Sequence, residues 1–312
     1  MNRRPLGRSE IVIEPLVLGG NVFGWTVDEK AGFAILDAFV EEGFSAIDTA
    51  EGYPNWVPGN PPGMSETIIG KWMKARGNRD AVHIFTKVNS GKKPGGLKPD
   101  NIAASFDASL KRLQTDYVDV YFSHWPDAEA SHEETLGAYD PMVRAGKVRA
   151  VGASNYTAEM VKEAQEVSVI KSLPRYEVLQ PRFNLYDRAE FDALRDTVAE
   201  YEMGTVVYYS LASGFLTGKY RSKADLGKSA RGGGIERHMN EKGEAILAAL
   251  DQVAKANDAT PAEVSLAWLV AQPGVTAPIA SATSVEQVRS LAKGVRLKLS
   301  EEDLGLLTAA GQ

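Results

Sequence analysis

The segment VRAVGASNYTAEMVKEAQEV at residues 148–167, followed by YEVLQ at 176–180, reads as one complete strand–helix–strand unit. Val148–Ser154 is a short run of β-branched and small apolar residues, which predicts a strand. Thr157 then stands where an N-cap belongs, ahead of a helical pattern over Ala158–Val167. Tyr176–Gln180 predicts the next strand. Both strands end on polar side chains, Ser154 with Asn155 and then Gln180.

The same unit repeats in both directions. Upstream, strands are predicted near Glu14–Gly19, Phe44–Asp48, Val82–Lys87 and Tyr117–His124. Downstream they fall near Gly204–Tyr208 and Val275–Ser281. Helical patterns cover Ala31–Glu42, Asn101–Leu113 and Arg188–Tyr201, with Asp100 as a second N-cap. Eight strands alternating with helices in 312 residues predict an α/β protein, a single (β/α)8 TIM barrel spanning residues 1–312. The competing doubly wound sheet binds dinucleotides through a GxGxxG turn after its first strand, and no GxGxxG occurs here. Residues 1–13 are expected to form a short hairpin closing the barrel floor. Two long loops stand out, a Pro/Gly-rich one at 54–63 and one at 211–238 that carries Arg231.

Composition narrows the function. Hydrophobic residues make up 44% and charged residues 24%, the mix of an ordinary folded protein. A net charge of -6 argues against a nucleic-acid or membrane-surface partner. With no cysteine, disulfides, thiolate metal sites and a cysteine nucleophile are excluded. His83, His132 and His238 lack metal-ligand spacing, so no metal is expected. No Gly-Lys pair completes a phosphate loop for nucleoside triphosphates. The polar N-terminus and the lack of an 18-residue apolar run point to a cytoplasmic protein, taken as a monomer by default.

The chemistry is expected at the strand ends. Asp48, Lys87, His124, Ser154, Asn155, Gln180, Tyr208 and Ser281 each close a predicted strand, and Tyr53 lies five residues beyond Asp48. In a barrel these positions open onto one face, where barrel active sites are built. Taken singly, Asp48 reads better as a turn residue, Lys87 as a solvated strand end and His124 as a satisfied polar group. The set is what carries weight. Tyr53 can act as a general acid if the Lys87 cation lowers its pKa, with Asp48 holding Lys87 and His124 orienting a carbonyl. Such a group calls for a hydride donor, and a protein has none of its own, so a nicotinamide cofactor is implied. Trp25, Trp56 and Trp125 fall in loops on the same face and are expected to wall an apolar substrate.

At these residues the chain resembles the aldo-keto reductase family. Asp48-Thr-Ala-Glu-Gly-Tyr53 is similar to the family's D-T-A-x-x-Y box, and Ser65, Glu66 and Gly70 match the S-E-x-x-x-G that follows. Phe85-Thr-Lys87, His124-Trp-Pro-Asp127 and Gly152-Ala-Ser-Asn155 match the next boxes in order. Tyr208 through Lys219 resembles Y-S-P-L-x-x-G-x-L-x-G-K, with Tyr209 and Ser210 in place of S-P. The match runs from about residue 4 to residue 300.

The resemblance implies an NADP(H)-dependent oxidoreductase that reduces small-molecule aldehydes or ketones, with Tyr53 as proton donor and Asp48, Lys87 and His124 completing the catalytic set. It implies that Ser154, Asn155 and Gln180 hold the nicotinamide carboxamide and that Tyr208 stacks on its ring. Ser210, Leu211, Ser213, Gly214 and Lys219 would cradle the pyrophosphate, and Ser281, Thr283 and Gln287 the adenosine end. Gly20, Asn21, Asp48 and Arg231 complete the cofactor set; Tyr53 and His124 join the three tryptophans at the substrate. Many relatives place Arg or Lys at the position of Thr283, against the 2′-phosphate. NAD(H) use therefore stays open, with Arg289 and Arg231 as candidates for compensation. Two rival readings are a cofactor-sensing regulatory protein on the same barrel, and a hydrolase or lyase using Asp48 and Lys87.

Overall fold

The computed structural model describes residues 2–90, 95–230 and 232–312. An antiparallel hairpin, β1 (Arg4–Pro5) and β2 (Val12–Ile13), precedes β3 (Val17–Gly19), α1 (Glu29–Glu41) and β4 (Ala46–Asp48). Then come α2 (Met64–Arg76), β5 (His83–Val88), α3 (Pro99–Leu113), β6 (Val118–Ser123), α4 (His132–Arg144), β7 (Val148–Ser154) and α5 (Ala158–Lys171). The chain continues through β8 (Tyr176–Gln180), α6 (Ala189–Asp192), α7 (Arg195–Glu200) and β9 (Gly204–Val207). It ends with α8 (Glu241–Ala256), α9 (Pro261–Val270), β10 (Ala277–Ala280), α10 (Val285–Arg296) and α11 (Glu301–Ala310). Strands β3 to β10 form a closed barrel in chain order, β10 returning to pair with β3, and every pair is parallel. The expected (β/α)8 barrel and N-terminal hairpin are what the structure shows.

The barrel interior explains where the polar residues go. Val17, Ala46, Phe85, Val120, Phe122, Ala150, Val178, Val206, Ala277 and Ile279 form one buried cluster, plugged from below by Leu6, Ile11 and Ile13 of the hairpin region. Side chains alternate faces along a strand, so the residue two positions on points the same way. Counting on from Ala46, Phe85, Phe122, Val178, Val206 and Ile279 gives Asp48, Lys87, His124, Gln180, Tyr208 and Ser281. The apolar plug thus carries a polar layer directly above it. Gly152 occupies this layer because Phe122 fills its space: a Cβ there would sit 2.4 Å from the ring.

The outer shell locks the helices to the strands. Ser65 Oγ donates to the Gly20 carbonyl at 2.8 Å, and Thr49 Oγ1 donates to Ser65 Oγ at 2.8 Å. Buried Glu66 accepts from Thr86 Oγ1 at 2.5 Å and from Arg112 Nε at 2.6 Å. Gly70 lets α2 reach the end of α3, since a Cβ would lie 2.3 Å from the Arg112 carbonyl oxygen. The S-E-x-x-x-G box is therefore scaffold for the strand that carries Lys87.

Some local expectations shift. Thr157 caps α5 through Met160 N–H as expected, but α3 begins after Lys98 with Pro99 at its first position. Asp100 therefore lies in the first turn and is not the cap; proline's fixed φ favours that first position. The single helix expected over Arg188–Tyr201 is two short ones, α6 and α7. The 211–238 loop is partly built of 3₁₀ turns. Among the described residues no helix is long and apolar enough to cross a membrane.

Candidate active site

Asp48 and Lys87 meet at the barrel mouth. Lys87 Nζ donates to Asp48 Oδ2 at 2.7 Å and to the Thr49 carbonyl at 2.7 Å, and the lysine is wholly buried. Gln180 Nε2 donates to the other carboxylate oxygen, Asp48 Oδ1, at 2.9 Å. Burial lowers the Lys87 pKa, while Asp48 pulls it back up by charge and hydrogen bond. A desolvated ion pair persists only when its remaining groups are bonded, and here both carboxylate oxygens are.

Tyr53 leans on this pair. Its ring centre is 4.9 Å from Lys87 Nζ, and it packs edgewise on Trp56 at 5.8 Å and His124 at 5.7 Å. Its hydroxyl has no hydrogen-bond partner among the described residues. The expected lowering of its pKa is not found. Burial holds it well above 10.0, and the Asp48 charge pushes it further the same way. The physical reason is the 2.7 Å pairing: Asp48 offsets the Lys87 charge that was to favour the phenolate. Tyr53 accordingly rests as a neutral phenol with its proton in place.

His124 is held neutral. Burial depresses its pKa well below 6.5, and the Lys87 charge adds to this. Its Nδ1 is buried without a partner. The ring stands 6.4 Å from the Trp125 ring, tilted by 23°. Trp56 also meets Trp25 at 5.6 Å, edge to face. Trp56 and Trp125 are 40% and 43% exposed, unusual for rings of this size and consistent with a wall that a ligand covers. The three tryptophans are thus linked through ring contacts to Tyr53 and His124.

Ser154, Asn155, Gln180, Tyr208, Ser281 and Asn21 of the candidate cofactor set lie at the same strand ends. Ser154 Oγ donates to the Gln180 carbonyl at 2.8 Å. Asn155 Nδ2 donates to the His124 carbonyl at 2.8 Å, and Tyr208 OH donates to Asn155 Oδ1 at 2.8 Å. Burial, with help from Glu190, pushes the Tyr208 pKa up to about 12. Ser281 Oγ donates to Asn21 Oδ1 at 2.7 Å, joining the ends of the first and last barrel strands. Gly20 fits where it does because a Cβ would sit 2.9 Å from both the Asp48 carbonyl oxygen and Ser65 Oγ.

Beyond β9 the backbone turns left-handed at Tyr209, Ala212, Ser213, Gly214 and Gly218. Such turns gather N–H groups into concave anion sites. Gly214 has φ +101, and a Cβ there would lie 3.5 Å from Lys219 Cε. The bare glycine backbone beside an ammonium suits a phosphate. The Ser210 hydroxyl is buried and committed to the Val207 carbonyl at 3.1 Å, and Leu211 packs partly buried against the core. Thr283 gives both its N–H, at 2.8 Å, and its hydroxyl, at 3.2 Å, to Gln287 Oε1. Arg231 lies outside the described residues.

Two mouth residues were missed by the sequence reading. Asn89 and Arg182 follow Lys87 and Gln180 by two positions, so the period-two rule carried one step further points to both. Arg182 lies 5.9 Å from the Tyr208 ring centre and 5.4 Å from that of Tyr209.

Residues 15–312 match the family model described as the Aldo/keto reductase family. The chain is 32% identical to Protein tas of Escherichia coli (strain K12), over 100% of this chain and 98% of that protein. It is 34% identical to the Uncharacterized oxidoreductase YrpG of Bacillus subtilis (strain 168), over 97% and 93%. It is 30% identical to the Aldo-keto reductase yakc [NADP(+)] of Schizosaccharomyces pombe, over 88% and 80%.

Proposed function

Because this chain belongs to the aldo/keto reductase family, we propose that it reduces an aldehyde or ketone to an alcohol with NADP(H), Tyr53 giving the proton. One observation carries this reading. A neutral phenol with an unpartnered hydroxyl stands between a buried Lys87–Asp48 pair and a neutral imidazole.

A bound nicotinamide cofactor would supply the hydride. The residues present suit such a group. Ser154, Asn155 and Gln180 would hold its carboxamide and Tyr208 its ring, while the left-handed turn around Gly214 and Lys219 would take its pyrophosphate. Ser281, Thr283 and Gln287 would meet the adenosine end. NADP(H) is the favoured form; the Schizosaccharomyces relative carries NADP(+) in its name. Thr283 brings no positive charge to the 2′-phosphate, so Arg289 is the described cation that would serve it, and NAD(H) remains the second form.

The remaining chemistry belongs to the chain. Nδ1 of His124 has no acceptor beside it, so a proton carried on Nε2 would donate to the substrate oxygen and orient it. Tyr53 transfers its phenolic proton to that oxygen. The negative charge left on Tyr53 is met by Lys87, 4.9 Å from its ring centre. Asp48 keeps the lysine in place. The tryptophan wall excludes water and favours an apolar substrate body.

The test is a fluorescence titration with NADPH and, separately, NADH, followed by turnover on a panel of aldehydes and ketones. Tight NADPH binding with consumption on carbonyl addition is expected. Binding with no turnover would favour a cofactor sensor, and no nucleotide binding would end the reductase reading.

A further inference from the structure

We propose that Glu51 and Asn89 are positioning residues that tie the His124 loop to the Tyr53 loop; this rests on the roles of Tyr53 and His124 proposed above. Two asparagines follow barrel strands directly, and both have left-handed backbone: Asn89 at φ +63 after β5 and Asn155 at φ +61 after β7. Outside glycine this conformation is uncommon, and asparagine tolerates it best. Each asparagine turns its amide to the loop between them. Asn89 Nδ2 donates to the Trp125 carbonyl at 3.0 Å, and Asn155 Nδ2 to the His124 carbonyl at 2.8 Å. Consecutive carbonyls are gripped from opposite flanks.

That grip matters because the imidazole has little else. A histidine is commonly oriented by a bond to its second ring nitrogen, yet Nδ1 of His124 has none. Its direction must come from the backbone that carries it and from the adjoining rings of Tyr53 and Trp125.

The Asn155 clamp is anchored on Tyr208 OH. The Asn89 clamp is anchored on Glu51, whose Oε1 accepts the Asn89 backbone N–H at 3.2 Å. Glu51 is wholly buried and stands two residues before Tyr53, and its own N–H donates to the Lys87 carbonyl at 3.3 Å. A buried carboxyl group is costly unless it is bonded. Here it takes up the N–H at the left-handed turn where β5 has ended. The bonds therefore run from the Tyr53 loop through Glu51, Asn89 and the His124–Trp125 carbonyls to Asn155 and Tyr208.

Three variants test the clamp. Asn89→Gly keeps a residue at ease with φ +63 and deletes only the amide. Glu51→Ala deletes the acceptor, while Glu51→Gln retains one. With NADPH and a turned-over carbonyl, kcat of Asn89→Gly and Glu51→Ala is expected to fall ~10- to ~100-fold with little change in NADPH Kd. Glu51→Gln should return to within about fivefold of wild type, the scale of one weakened hydrogen bond. The primary isotope effect with NADPH deuterated at carbon 4 should rise in the two impaired variants, because misplacement slows hydride transfer itself. A loss of folded protein alone would leave that effect unchanged. A second measurement needs no turnover: the His124 imidazole NMR signals, assigned with His124→Gln, should shift or broaden in Asn89→Gly and Glu51→Ala but not in Glu51→Gln. Inert wild-type protein would end the reductase reading, while these spectra would still judge the clamp. Unchanged His124 signals in Asn89→Gly and Glu51→Ala, or unchanged kcat and isotope effect in an active enzyme, would overturn the proposal.

Discussion

Lys87 and Asp48, 39 residues apart in the chain, make a 2.7 Å ion pair with the lysine sealed from solvent. Each neighbour of this pair takes its protonation state partly from it. Asp48 pushes the Tyr53 pKa up, and Lys87 pushes that of His124 down.

Removing one partner should be far costlier than removing both. Lys87→Met leaves a buried carboxylate unpaired and should cost about 3–5 kcal/mol of stability. The double variant Lys87→Met with Asp48→Asn should lose less than the sum of the two single changes. Urea unfolding of the four proteins reads this directly; additive losses would mean that the pair is not coupled.

Tyr53→Phe keeps the ring contacts with Trp56 and His124 and deletes only the hydroxyl, the proposed proton donor. Carbonyl reduction should fall by ~100-fold to ~10,000-fold, the usual worth of a positioned general acid. The NADPH affinity should hardly move. Turnover near the wild-type level would transfer the proton-donor role to another group.

The pH profile of kcat/KM for reduction should be broad. In the proposed mechanism the active form has Tyr53 protonated and His124 neutral. Tyr53 is raised above 10.0, so activity should persist past that pH before falling. His124 is lowered below 6.5, so activity should also persist below that value on the acid side. The linked effect on stability has a definite sign. His124 binds its proton more readily when unfolded, so its contribution is complete above pH 6.5 and is lost as pH falls through its lower folded value. A bell centred on a group titrating near 7 would contradict both assignments.

Thr283→Arg should sharpen cofactor choice. A guanidinium at this exposed position, one residue before the Ser284 cap of α10, would add a charge-assisted bond to a 2′-phosphate. NADPH should bind roughly tenfold tighter, with NADH little changed. Equal effects on both nucleotides, measured by fluorescence titration, would place the 2′-phosphate elsewhere.

The barrel was legible because its signal is local. Val148–Ser154 and Tyr176–Gln180 were read at their observed bounds, and Thr157 as the cap between them. Ends set by competing local effects were less so. Pro99 displaced Asp100 from the cap of α3, and the helix expected after Arg188 broke into two. Of the site, the polar strand ends were visible, but Asn89 and Arg182 were passed over because each follows a residue that already seemed to end its strand.

By itself the sequence determined the fold and the layer of polar residues at the mouth, because strand alternation with period two is written into consecutive residues. Only the tertiary structure decided what those residues are chemically. Whether Lys87 lowers the Tyr53 pKa depends on Asp48 standing 2.7 Å from the lysine, and Gln180 reaches that same carboxylate across 132 residues. Burial and distance between remote residues set charge states and hydrogen bonds, and neither is written in any local stretch of chain.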